Sequence, residues 1–167
     1  KKREDIVKGG FSTPLDAPMV PNFPFTFRNI NIFTLVYKTD IDAISALLPE
    51  PLVCIGPEVM IHFYQMNDTS WLGPYNEVNV MVGVELPGEA VGSYSPYLFL
   101  SSDIGVAHGR EVHGQPKKIG NPTVEFRQDL IVGKLERNGI DVVTGTMPYK
   151  QQPAEISELS DIFPFAT

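Results

Sequence analysis

The sequence predicts a mainly β domain, an antiparallel sheet that curls into a barrel with a short peripheral helix, and three observations carry that expectation. Fifteen prolines and 14 glycines are spread along 167 residues, which cuts the chain into short extended segments rather than long helices. Period-two alternation and runs of β-branched and aromatic residues recur along the chain. No internal repeat, low-complexity segment or linker divides it, so an ordinary globular composition, 43% hydrophobic and 20% charged, points to one core and to 1–167 as a single domain.

Taken in order, Lys1-Lys2-Arg3 reads as a frayed end. Residues 11–27 carry Pro14, Pro18, Pro21 and Pro24 between phenylalanines, the pattern of an extended arm whose rings insert into grooves of its own fold. Residues 32–37 (Ile-Phe-Thr-Leu-Val-Tyr) read as a strand. Thr39 or Asp40 caps a short helix with Ile41, Ile44, Leu47 and Leu48 at helical spacing, stopped by Pro49 and Pro51. A strand over 59–66 ends in the polar turn Asn67-Asp68-Thr69-Ser70, and 77–84 alternates with period two. Residues 94–102 are extended, whereas 104–112 fit either a short helix or a series of turns. Segments 130–136 and 140–147 flank Asn138-Gly139, a strong hairpin signal because both residues tolerate positive φ.

Composition removes several functional classes. The net charge of −7 comes from scattered acids, which disfavours nucleic acid as a partner. No apolar run reaches the roughly 18 residues of a membrane span, and no stretch resembles a secretory signal, so the expectation is no membrane partner. The lone Cys54 and three scattered histidines offer no metal-ligand spacing, and no metal or cofactor is expected. Cys54, in Leu-Val-Cys-Ile, reads as a buried core thiol, and a reducing cytoplasmic setting fits it.

The chemistry-bearing feature is the adjacent pair Lys117-Lys118. Lysine's ordinary pKa of about 10.4 leaves almost no neutral amine at pH 7, so an amine nucleophile needs that value lowered. A neighbouring ammonium and an apolar pocket both disfavour the charge. Lys-Lys pairs are common on solvated surfaces, so the pair alone proves nothing. The surrounding string His108-Gly-Arg110-Glu111-Val-His113-Gly-Gln115-Pro116-Lys117-Lys118-Ile-Gly120 adds glycines and a proline that fix the backbone around it.

That string resembles the acetoacetate decarboxylase-like superfamily. The likeness continues, in family order, through Val36-Tyr37-Lys38-Thr39-Asp40, Leu48-Pro49-Glu50-Pro51-Leu52, the block from Asn67 to Glu77, and Gly145-Thr146-Met147-Pro148-Tyr149-Lys150. The resemblance implies a conical antiparallel β-barrel, a Schiff base between Lys117 and a small oxo acid, and a homo-oligomer. It gives Lys118 the part of the cation that lowers the pKa of Lys117, and Glu77 the part of the carboxylate beside the imine. Acetoacetate decarboxylase is itself the general example of a lysine activated by a second cation, so this device is taken over with the resemblance. Arg110 and Glu111 match a supporting block. His62, His108 and His113 read as structural or pocket-lining rather than as general bases.

Three positions depart from the family pattern. Ile30 stands where the decarboxylases carry an arginine, His62 where they carry a second acid, and Gln115 where they carry a tyrosine. These changes keep the imine chemistry and put decarboxylation of acetoacetate in question. Alternatives are an aldolase-dehydratase using the same imine, with Gln115 and His62 as hydrogen-bonding or proton-transfer groups, a non-catalytic small-molecule-binding barrel, and a subunit that completes a partner's barrel. The chain also stops soon after the Met-Pro-Tyr-Lys block. The expectation is that the family's C-terminal part is lacking and that either the chain is a fragment or a second chain or segment completes the barrel, since an open barrel exposes an unpaired edge.

Overall fold

A computed structural model describes residues 2–8, 14, 17–21 and 23–148. A solvent-exposed helix, α1 (Arg3–Lys8), stands where the sequence suggested a frayed end, with Glu4 and Asp5 in its first turn and Lys8 in its last, as the helix dipole favours. The proline-rich arm inserts only in part. Val20 is fully buried and Phe25 packs beside Leu72 and Leu98, but Met19 and Phe23 remain exposed.

The arm leads into β1 (Phe27–Lys38), longer than the expected segment. Asp40 then caps α2 (Ile41–Ser45) by accepting from the Asp42 N–H at 2.9 Å, and Ile44 is the side chain this helix buries. Three long strands follow, β2 (Val53–Thr69), β3 (Tyr75–Leu86) and β4 (Ala90–Leu100). The polar Asn67-Asp68-Thr69 does not turn. It stays in β2 because β1 pairs with it as far as Phe27 opposite Thr69, and the reversal falls at residues 70–74, where Trp71 and Gly73 have φ of 71° and 72°. Cys54 is half-buried rather than core, with its thiol donating to the Gly56 carbonyl at 3.1 Å.

The segment left open by sequence is helical. Ser102 caps α3 (Asp103–Ala107), which runs into a π-helical turn, His108–Val112. This crossover brings β5 (Lys117–Ile119) beside β4 in parallel, a pairing that a tight hairpin could not make. The first sheet thus has the order β1-β2-β3-β4-β5, antiparallel except at its last pair.

A second sheet, β6 (Asn121–Arg127), β7 (Leu130–Arg137) and β8 (Ile140–Met147), is antiparallel throughout. Its β7–β8 hairpin turns at Asn138 and Gly139, with φ of 55° and 78°, as the Asn-Gly signal requires. The two sheets pack through Phe33, Ile61, Phe63 and Val78 of the first and Val124, Ile131 and Leu135 of the second. The architecture is mainly β with a short peripheral helix, as expected. Among the described residues the two sheets are not closed into one barrel, and the ladder is not wholly antiparallel.

Candidate active site

The face of the first sheet that points away from the second carries the site. Register places Thr34, His62, Asn79, Leu98 and Lys117 in one row across all five strands, each the Cα partner of the next. The neighbouring row runs Ile32, Tyr64, Glu77, Leu100. Residues directly opposite in a ladder, and residues two apart along a strand, project from the same face. Lys117 and Glu77, 40 positions apart in the chain, therefore meet diagonally over Leu98 and Leu100.

The Lys117 Nζ donates to Glu77 Oε2 at 3.1 Å, with the two side chains only 8% and 9% exposed. Burial pushes the Glu77 carboxyl above the usual carboxylate range, and the adjacent Lys117 charge pulls against that shift without cancelling it. Glu77 in turn raises two nearby phenols that burial has already shifted upward, Tyr64 to about 12 and Tyr75 further still. A buried ion pair adds little to stability once desolvation is counted. A buried pair with a perturbed carboxyl is a candidate functional site.

Local structure fixes the amine from behind. Gly109, in the π-helical turn, lies against the Lys117 side chain so closely that an added Cβ would sit 2.6 Å from Cε. Arg110 Nη1 donates to the Lys117 carbonyl at 3.2 Å, a concrete task for a residue that the sequence placed only in a supporting block. The Gln115 N–H donates to the Gly109 carbonyl, and the Gln115 carbonyl accepts from the Lys117 N–H. Gln115 thus shapes the entry to β5 through its backbone, while its side chain is exposed and makes no hydrogen bond among the described residues.

Lys118 departs from the expected geometry. Its side chain is exposed, and strand alternation sends it to the face opposite Lys117, in register with Phe99 of the interior. The pair is adjacent in sequence and divided by the sheet. His62 is placed on the site face, with Nδ1 2.8 Å from Thr34 Oγ1, and its burial holds its pKa below the ordinary value. Ile30 lies on the same face of β1, opposite Met66 and partly exposed. The Nε2 atoms of His108 and His113 lie 3.2 Å from each other, and His108, against the rings of Phe23 and Phe25, has its pKa held down by burial, by His113 and by the Lys117 charge.

Sequence reasoning missed Asn79 and Gly109. Asn79 was accessible to it by counting two positions on from Glu77; Gly109 was not, because its contact with Lys117 depends on the crossover. Among the described residues no group of three or more His, Cys, Asp or Glu could hold a metal ion, and no helix is long and apolar enough to cross a membrane.

The family model for acetoacetate decarboxylase matches residues 12–165. This chain belongs to the acetoacetate decarboxylase family. The acetoacetate decarboxylase of Chromobacterium violaceum is 38% identical over 158 residues, which is 95% of this chain and 64% of that protein. A solved acetoacetate decarboxylase is 35% identical and superposes with a TM-score of 0.86 over 96% of this chain and 65% of its own. That of Legionella pneumophila is 31% identical, with a TM-score of 0.81, over 93% of this chain and 63% of its own. The chain thus spans just under two thirds of the length of these family members.

Proposed function

We propose that this chain carries the Schiff-base centre of a carbon–carbon lyase acting on a small oxo acid, with Lys117 as nucleophile and Glu77 as its proton partner. The buried Lys117–Glu77 contact at 3.1 Å carries the reading. A carboxyl pushed up by burial is a stronger base than a free one, so Glu77 is suited to take the ammonium proton and free the amine lone pair. The amine adds to the substrate carbonyl, and loss of water leaves a protonated imine. In a β-keto acid, the bond to the carboxylate then breaks, carbon dioxide leaves, and the electron pair moves into the imine to give an enamine. Protonation of the enamine carbon by Glu77 and hydrolysis by water return the ketone and the free lysine.

The same enamine, formed instead by loss of a proton next to the imine, can attack an aldehyde. This second reading, an aldolase-dehydratase, is favoured by a specific observation: Ile30 is apolar and burial disfavours the charged form of His62, the two places where groups that handle the acetoacetate carboxylate were expected. Neither reading requires a metal or organic cofactor. A cytoplasmic homo-oligomer fits both, and the exposed Ile30, Ile32 and Val36 on the site face support a cover from a second copy or a further segment.

The test is reductive trapping. Incubation with acetoacetate or pyruvate followed by borohydride is expected to add the mass of the reduced adduct at Lys117, and Lys117→Arg is expected to abolish it. Label elsewhere, or none, removes the Schiff-base reading. Label without carbon dioxide or condensation product points to a non-catalytic binding barrel.

A further inference from the structure

Asn79 is 9% exposed, and its side-chain oxygen Oδ1 is buried without a hydrogen-bond partner among the described residues. An unsatisfied buried acceptor is costly, so a retained one calls for an explanation, and a ligand that supplies the missing donor is such an explanation. Its position supports that account. Asn79 lies two residues from Glu77 on the same face of β3, about 7 Å away along the strand, and opposite His62 on β2. It therefore shares a row with Lys117 and lies two residues along β3 from the carboxylate that pairs with it.

The neighbours define what that group can be. His62 Nδ1 lies 2.8 Å from the Thr34 hydroxyl, and the tautomer that this contact takes decides whether Nε2 donates or accepts. Asn79 Oδ1 needs a donor, and the His62 ring across from it can meet a group that both donates and accepts in either tautomer. A hydroxyl is both at once, whereas a carboxylate accepts only and would set oxygen against oxygen at Asn79. The Lys117 ammonium of this row is already paired with Glu77 at 3.1 Å, Ile30 lies beyond the row, and burial disfavours the charged form of His62.

We propose that Asn79, with His62 and Thr34, forms a specificity subsite for a neutral hydroxyl carried by the oxo-acid substrate two carbons from the carbonyl that Lys117 attacks. This rests on the Schiff-base reading above and narrows it toward 4-hydroxy-2-oxo acids, the products or substrates of aldol chemistry. Asn79 is then a substrate-positioning residue, not a proton carrier.

Borohydride trapping at Lys117 with 4-hydroxy-2-oxopentanoate and with 2-oxopentanoate tests it. The expected result is half-labelling at about tenfold lower concentration for the hydroxy acid, the discrimination of one good hydrogen bond. Asn79→Leu, of similar volume, is expected to bring the two acids to within about twofold without lowering Tm, since it removes an unsatisfied polar atom. Asn79→Ser, which keeps a hydroxyl, is expected to retain part of the preference. Equal labelling by both acids in the parent protein overturns the subsite, as does a preference that survives Asn79→Leu. A lowered Tm with both acids weakened equally assigns Asn79 a structural role and overturns it too. Label absent from Lys117 with every oxo acid, pyruvate included, defeats the Schiff-base reading itself, whereas label without discrimination defeats only the subsite.

Discussion

Gly109 sets where the Lys117 amine lies. Its missing side chain is the space that the Lys117 alkyl chain occupies, and a Cβ there would lie 2.6 Å from Cε. Gly109→Ala must therefore push the lysine shaft away from the π-helical turn and the amine out of line with Glu77. We expect imine labelling of Lys117 to slow by at least about tenfold, for a stability loss of about 1–3 kcal/mol typical of overpacking. Unchanged labelling with an intact fold, checked by circular dichroism, would show that the contact does not position the amine. His62 carries a separate, pH-dependent effect. Burial holds its folded-state pKa below the unfolded value near 6.5, so in the window just below 6.5 the unfolded chain binds more protons. Its stability contribution is present above pH 6.5 and is lost as pH falls through the folded-state pKa. His108 shifts in the same direction, but it is common to the parent and to His62→Gln and cancels in their difference. The Tm of the parent relative to His62→Gln should fall between pH 7.5 and pH 5, and a constant difference would contradict the buried neutral ring.

At the scale of elements, what was legible in the sequence is what local patterning controls. β-Branched and aromatic content marked β1, period two marked β3, extended apolar runs marked β2 and β4, and Asn138-Gly139 marked the β7–β8 hairpin because its positive φ values are a property of two residues alone. Elements governed by partners were harder to read. The Asn67-Asp68-Thr69 run has the composition of a turn, yet the β1 ladder holds it extended. The strand β6 carries Pro122 near its start and was not recognised, although its Pro122 carbonyl is tied to Asn76 Nδ2 at 3.1 Å. The site divides in the same way. Lys117 and Glu77 were found through a family block, and their meeting follows from register. The part assigned to Lys118 came with the family resemblance and leaned on adjacency in sequence, which a strand converts into separation, since successive side chains leave opposite faces. Asn79 follows from that same alternation, but an asparagine in a strand reads as solvent-facing until the sheet shows that it is buried.

At the scale of the molecule, one sheet serves two purposes, and its two faces should be separable by experiment. Phe33, Ile61, Phe63 and Val78 face the second sheet and hold the fold together, while Tyr64, Glu77, Asn79 and Lys117 face the other way. The sheets approach closely enough over Phe63 that a Cβ on Gly133 would lie 2.5 Å from its ring. Gly133→Ala must therefore separate the sheets or displace the Phe63 ring, at a cost of about 1–3 kcal/mol, or about 2–4 °C in melting temperature per kcal/mol for a domain of this size. Well below that melting temperature, the concentration of oxo acid that half-labels Lys117 should match the parent's, because no site residue touches the disturbed contact. Gly109→Ala is its opposite in kind, striking the amine from the site side. If Gly133→Ala weakens labelling at low temperature as strongly as Gly109→Ala does, strain at the interior crosses the sheet through β2 and β3, and the site is tuned by packing on the face it does not use.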